Sequence, residues 1–368
     1  MGFFTFLRRN RRSSKRRVED AQEAQLPPPD QLIDSSKSDH DKDFSLIMTH
    51  PSTINTTTSI RRFSWKEIIS LSANFSTVID QGGYSTVYLA HFPSSSSCHG
   101  AIKIHENTQR LNRNFRQELD ILLHLGRHQN IVQLLGYCDE QDDDKGGALL
   151  FEYVPSGNLQ QKLHGKTAAR MPWKSRMWIA FQLARAIQYL HNCTLPIVHG
   201  DIKSSNILLD DQLNCKLCDF GSAKMGFSAT LRPSSSLSLM GSPGYIDPHY
   251  LRTGIASKKN DVYSFGVILL ELITGMEAFC SEKEQLLTNV AGPLLRGGQH
   301  KVDLRPLMPA EDLSHSEEEE VMTMASITAL CLTQEPSLRP SMTDIVTNMT
   351  NKSSSIHCFL TTEKSHHH

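Results

Sequence analysis

The stretch HGDIKSSNILLDDQLNCKLCDFG, from His199 to Gly221, constrains this chain more than any other part of it. It brings Asp201, Lys203, Asn206 and the triplet Asp219-Phe220-Gly221 into one short span. Phosphoryl transfer needs a carboxylate near the incoming hydroxyl, oxygen ligands for Mg²⁺ and positive charge beside the migrating phosphate. Asp201 suits the first role, the Asn206/Asp219 pair the second and Lys203 the third.

The preceding sequence can be tested against that idea. Val78 to Ala90 reads as strand, turn, strand. Gly100-Ala101-Ile102-Lys103-Ile104 reads as a further strand. Leu111, Phe115, Leu119 and Leu122 recur at spacings of four, four and three, which predicts one face of a helix, and Glu118 lies on that helix. A Lys on a strand and a Glu on the next helix can pair. Ala148 to Val154 is an apolar strand that runs into a break at Pro155, the kind of hinge that separates two lobes. Trp178 to His191 carries Ile179, Leu183, Ile187 and Leu190 on one helical face. Asp261 to Thr274 is apolar nearly all round and predicts a buried central helix.

Composition sets the limits. A chain of 368 residues with 39% hydrophobic and 21% charged residues can bury a large core. Its net charge of −1 gives no global reason to bind nucleic acid, and no nucleic-acid partner is expected. The first 17 residues nevertheless hold seven Arg/Lys and no acid. Residues 1–60 read as a disordered tail. Phe3, Phe4, Phe6 and Leu7 beside that basic run suit an anionic membrane surface, with a nuclear address as the rival reading. No run is long enough to span a membrane and no secretory leader is visible, so a cytoplasmic location is expected, with peripheral contact at the plasma membrane. Cys215 and Cys218 form a CxxC, but they fall on a short strand, where residues three apart face opposite sides. Residues 222–240 are rich in Ser/Thr without regular period and read as a loop. The acidic runs Asp142–Asp144 and Glu317–Glu320 read as solvated loop or helix-surface charge.

VHGDIKSSNILLD, CDFG, LLGYC, GSPGYIDPHYLRTG and DVYSFGVILLELITG together resemble the plant receptor-like cytoplasmic kinases, within the Pelle-like and interleukin-receptor-associated kinase group. The resemblance implies an α+β, two-lobed protein kinase fold: a small antiparallel-sheet N-lobe with one helix and a larger, mainly helical C-lobe. It places the kinase domain at 61–349, divided near residue 154, with a C-terminal tail at 350–368. The implied activity is transfer of the γ-phosphate of MgATP to Ser/Thr of a protein substrate, without an ectodomain and in company with a membrane receptor complex. The alternative is a pseudokinase scaffold.

The resemblance also assigns roles. Lys103 orients the α/β-phosphates and Glu118 holds Lys103. Asp201 aligns the hydroxyl or accepts its proton, and Lys203 steadies the γ-phosphate. Asn206 and Asp219 ligate Mg²⁺. Ile79, Val87, Ala101 and Leu208 enclose adenine, Phe151 is the gatekeeper, and the backbones of Glu152 and Val154 hydrogen-bond the base. Leu122, His199 and Phe220 form an apolar stack between the lobes. The Asp-x-Lys-x-x-Asn spacing and Ser242 are similar to Ser/Thr kinases. Four positions depart from the pattern. The nucleotide loop retains Gly82 but has Asp80 and Ser85 where glycines are usual. Gly200 stands where many kinases carry Arg. His249 replaces a Glu whose Arg partner would match Arg339, which implies a more loosely held substrate-binding loop.

Overall fold

The computed structural model describes residues 60–82, 85–92, 99–105, 109–140, 146–165, 171–226, 241–296, 302–308 and 313–365. The basic N-terminal run, most of the Ser/Thr-rich loop and the acidic run Asp142–Asp144 lie outside the described residues.

The first part is a sheet with two helices: β1 (Arg61–Arg62), α1 (Trp65–Leu71), β2 (Val78–Gln81), β3 (Ser85–His91), β4 (His99–His105), α2 (Gln109–His124), β5 (Leu134–Cys138) and β6 (Ala148–Glu152). The strand order is β1-β5-β6-β4-β3-β2, with every pairing antiparallel except β1 against β5. Strand alternation sorts the side chains. Ile102, Ala148 and Leu150 pack to one side, in a cluster with Phe63, Trp65, Ile68 and Leu71. Leu149 and Phe151 belong to the other cluster, with Phe115, Leu119 and Leu122 of α2. Lys103, next to Ile102, therefore faces α2.

Helix α1 is a second helix on this lobe, beyond the one expected. The Ser64 hydroxyl accepts from the Glu67 amide while the Glu67 carboxylate accepts from the Ser64 amide, a reciprocal cap. Trp65, Ile68 and Leu71 are its buried face, and burying a side chain such as Ile68 contributes about 1.5–3 kcal/mol.

The second part is mainly helical: α3 (Leu159–His164), α4 (Trp173–Asn192), β7 (Ile197–Val198), β8 (Ile207–Leu209), β9 (Cys215–Leu217), β10 (Lys224–Met225), α5 (Pro248–Thr253), α6 (Lys258–Thr274), α7 (Leu287–Leu295), α8 (His315–Cys331), α9 (Met342–Lys352) and α10 (Ser354–Ser365). Helix α6 starts at a Ser257/Asn260 capping box, ends at left-handed Gly275, and is buried along nearly its whole length from Asp261, as its composition predicts. Helix α4 begins earlier than its apolar face alone suggested, because Pro172 sets its start and Trp173 and Met177 extend the buried side.

Three expectations are corrected. Glu317–Glu320 is helix-surface charge only in part: Glu318 and Glu319 are exposed on α8, but Glu317 caps the helix and Glu320 is buried. The stretch beyond residue 350 is not a loose tail. Ile356 of α10 is fully buried, and Phe359 stacks on Trp178 of α4 at 4.8 Å between ring centroids. Finally, Arg339 has a carboxylate partner despite His249. Its guanidinium takes both oxygens of Asp247, at 2.6 and 2.9 Å, and also donates to the carbonyls of Thr333 and Lys259. The Asn260 amide and the His249 backbone N–H donate to the same carboxylate, so the segment is held tightly two residues before the position that the resemblance implied.

Both side chains of that pair are fully buried, and removing one partner of a buried pair costs about 3–5 kcal/mol. Asp247→Ala should therefore lower unfolding stability by about that much in urea melts, whereas His249→Glu should change it by less than about 1 kcal/mol. A gain larger than that in His249→Glu would restore the partner that the resemblance implied.

Candidate active site

The site begins with a buried lysine. Lys103 on β4 is set beside Leu149 of β6 and Val87 of β3 by the sheet register. Its Nζ donates to both oxygens of Glu118 on α2, at 2.7 and 2.9 Å, and to Oδ1 of Asp219 at 2.7 Å. Burial works against the lysine's charge, but Glu118 and Asp219 outweigh it and hold its pKa above the ordinary value. Burial would likewise raise Glu118; Lys103, with His105, brings it below the usual carboxylate range. His105 Nε2 lies 3.3 Å from Glu118 Oε2, at ion-pair distance but without hydrogen-bond alignment. Asp219 is held low chiefly by Lys103. A Cβ on Gly221 would sit 3.3 Å from Asp219 Oδ1 and 3.5 Å from Glu118 Oε2, so glycine keeps this crowded junction open.

The second group lies on the loop between β7 and β8. Lys203 Nζ is 2.8 Å from Asp201 Oδ2 and donates to the Ser242 hydroxyl at 2.9 Å, and that hydroxyl donates to Asp201 Oδ1 at 2.9 Å. Asn206 donates its amide to the Asp201 carbonyl and, more weakly, to its carboxylate. The Asn206 carbonyl accepts from Cys218 N–H at 3.0 Å, which ties this loop to the residue before Asp219. All six residues that the sequence singled out for chemistry are thus joined in two linked clusters.

His199 is fully buried, donates from Nε2 to the Cys218 carbonyl and accepts the Asp201 amide at Nδ1. Both nitrogens are engaged, and the ring packs edge-on against Phe220 at 4.9 Å. With Leu122 in the same core cluster, this is a packing role. Of the CxxC cysteines Cys215 is buried and Cys218 half-buried, and removal from water raises both thiols well above their ordinary pKa. Cys215 donates to the Ile179 carbonyl.

The proposed adenine-facing residues occupy one side of the sheet and the strand below it. Ala101 pairs with Phe151, and Val87 with Lys103. Leu208 lies on β8 and bridges to Asn158. Phe151 and Val154 are buried, while Ile79 is more exposed. The Glu152 amide is spent on the Gln133 carbonyl, and its side chain accepts from Lys216 and from the Gln133 amide. Gly82 N–H donates to the Ser85 carbonyl across the nucleotide-loop turn.

Sequence reasoning missed the two acids of α6. Asp261 accepts from the backbone amides of His199 and Gly200 at 2.9 Å each, and from His191 Nε2. Glu271 accepts from Tyr245 OH at 2.8 Å and from His164 Nε2 at 3.0 Å. The signal was present: these are the two charged residues of an otherwise apolar run, and a buried charge must find donors. A cavity of about 630 Å³ opens beside Asp201 and Ser242, lined also by Arg116, Gln117, Lys224 and Tyr250.

A lysine-coordinated pair of acids beneath a small sheet, with a carboxylate loop on a helical lobe, is the arrangement of a protein kinase. The comparisons agree. Residues 74–349 match the protein kinase domain family. The chain is 48% identical over 307 residues to salt tolerance receptor-like cytoplasmic kinase 1 of Oryza sativa subsp. japonica, covering 81% of this chain and 82% of that protein. It is also 48% identical over 301 residues to a probable receptor-like protein kinase of Arabidopsis thaliana, covering 77% and 85%. A probable serine/threonine-protein kinase of the same plant is 35% identical over 294 residues, covering 77% and 75%. The chain belongs to the protein kinase family, among the plant receptor-like cytoplasmic kinases, and is a serine/threonine protein kinase.

The ionic cluster gives a sign for pH. Glu118 and Asp219 titrate below their unfolded values, so they contribute stability that is present above about pH 4.5 and lost as pH falls through their folded pKa values. In Lys103→Met the lysine no longer opposes the effect of burial on Glu118, whose pKa rises. The stability gap between wild type and this variant should therefore widen from pH 4 to pH 7 in thermal melts; a gap independent of pH would contradict the assignment.

Proposed function

We propose that this kinase divides the work as follows. Lys103, fixed by Glu118, orients the α- and β-phosphates of ATP. Asp201 aligns the incoming Ser/Thr hydroxyl of the protein substrate and accepts its proton, and Lys203 beside it offsets charge on the γ-phosphate. Asn206 and Asp219 would hold Mg²⁺, which when bound neutralises charge on the β- and γ-phosphates. The donor set suits that ion: Asn206 commits its NH₂ to Asp201, which leaves its amide oxygen, alongside the Asp219 carboxylate, as hard oxygen ligands. Ile79, Val87, Ala101 and Leu208 enclose adenine beneath the Phe151 gatekeeper. The Glu152 carbonyl and the Val154 backbone serve the base edge, and Gly82 supports the phosphates.

The observation that carries this reading is the closed triangle of Asp201, Lys203 and Ser242. It fixes the proposed base against the segment that would receive the substrate, and it supports Ser/Thr as acceptor. The scaffold alternative has no such support. The catalytic unit is taken as residues 61–349 divided near Val154, with α10 as a packed extension. Asp201→Ala should keep its melting temperature and lose phosphate transfer from MgATP to a generic Ser/Thr protein substrate by about 10²–10⁴-fold. An unchanged rate would sink the assignment.

The finer placement, in the cytoplasm with peripheral contact at the plasma membrane, rests on the sequence Phe3-Phe4-Thr5-Phe6-Leu7 beside its basic run, and a membrane receptor complex as partner rests on the resemblance alone. Among the described residues no helix is long and apolar enough to cross a membrane. The full chain should co-sediment with anionic liposomes, and deletion of residues 1–20 should abolish this; binding unaffected by the deletion would rule the segment out.

A further inference from the structure

Helix α10 lies beyond the end of the family match at residue 349, and one carboxylate anchors its start. Glu320 of α8 is buried and accepts from Trp173 Nε1 (3.0 Å), Ser353 Oγ (3.0 Å), Ser354 Oγ (3.0 Å), and the amide and hydroxyl of Ser355 (2.8 Å each). Burial would raise the Glu320 pKa, but these donors outweigh it and keep the group ionised. The three serines differ in access. Ser353 and Ser355 are buried, whereas Ser354 is exposed.

We propose that Ser354 is a phosphoacceptor and that its modification detaches α10 from α4. In the transfer, Ser354 Oγ forms a bond to the γ-phosphorus of ATP as the bond from that phosphorus to the β,γ-bridging oxygen breaks. ADP leaves with the electron pair, and the hydroxyl proton passes to a carboxylate base. The source of the phosphoryl group rests on the kinase reading above; the consequence does not. The product exchanges a hydroxyl that donates to Glu320 for a group of charge about −1.5 to −2 beside the same carboxylate. The other donors on Glu320 are an indole N–H, two hydroxyls and an amide. Like charges then oppose the docking that these bonds maintain, and the Phe359–Trp178 stack and buried Ile356 lose their anchor.

The test uses the full chain made with phosphoserine at 354. Trp173 and Trp178, two of the chain's three tryptophans, both sit at this junction and supply the readout. Phosphoserine should shift tryptophan emission to the red and speed amide exchange across Ile356–Leu360 by at least about tenfold. Glu320→Gln in the phosphoserine chain should blunt that acceleration relative to Glu320→Gln alone, because a neutral amide does not repel phosphate. Ser354→Ala should exchange like wild type. Unchanged emission and exchange in the phosphoserine chain would overturn the detachment. For the acceptor, wild type incubated with MgATP should carry phosphate at Ser354 by mass spectrometry. A chain that phosphorylates a generic substrate yet leaves Ser354 bare overturns that half. A chain that phosphorylates nothing overturns the kinase reading instead, and the installed phosphoserine still decides the detachment.

Discussion

The structure depends first on a lysine that cannot be buried alone. Moving an uncompensated charge into a protein interior costs several kcal/mol, so Lys103 requires anions within hydrogen-bond reach. It finds them 15 and 116 positions away in sequence, at Glu118 and Asp219. Satisfying one cation therefore fixes α2 against β4 and the helical lobe against the sheet. The alignment of the two lobes and the assembly of the proposed nucleotide site are one electrostatic event. Asp219 adopts a left-handed backbone conformation, φ 63°, to present its carboxylate there, and the lysine contact helps to offset that strain.

A second constraint comes from below. Helix α6 is buried, and its two acids must be neutralised or bonded. Asp261 is satisfied by the backbone of the loop that carries Asp201 and Glu271 by Tyr245 and His164. The loop that carries Asp201 is thus mounted on the central helix by its main chain, which leaves its side chains available for chemistry. Gly200 fits this mounting. Its φ is 77°, and a Cβ there would lie 3.0 Å from the Ser222 carbonyl, so glycine relieves a contact that any other residue would have to accommodate.

Much of this was legible in the sequence, for a physical reason: chemistry and periodicity are local. Helices α2, α4 and α6 follow their apolar faces, and the six residues proposed for chemistry were identifiable from their types and order. What was not legible was mostly non-local pairing. That Arg339 would bond Asp247 rather than a residue at 249 depends on how two distant segments approach. Glu320 sits in an acidic run that looks solvated, and only the approach of Ser353–Ser355 buries it. Helix α1 is short, and its apolar residues matter only because the outer face of the sheet needs covering. Asp261 and Glu271 were different, since a charge in an apolar helix is itself a signal.

The same pairings bear on control. Ser242 is bonded to Asp201 and Lys203, Tyr245 to Glu271, and Asp247 to Arg339, so the segment from 242 to 247 is anchored at three points by internal contacts. With glycine at 200, the loop that carries Asp201 offers no cation at that position for a phosphate on that segment, and the three anchors do not require one. Helix α2 also reaches the segment that follows the Asp219 triplet, through a side-chain bond from Gln117 Nε2 to the Ala223 carbonyl at 2.7 Å. Movement of α2 would break that bond and separate Glu118 from Lys103 together, because both contacts lie on one rigid helix. Coupling through α2 would thus act on Lys103 directly, whereas a charge near residue 200 would act only on a loop already fixed by Asp261.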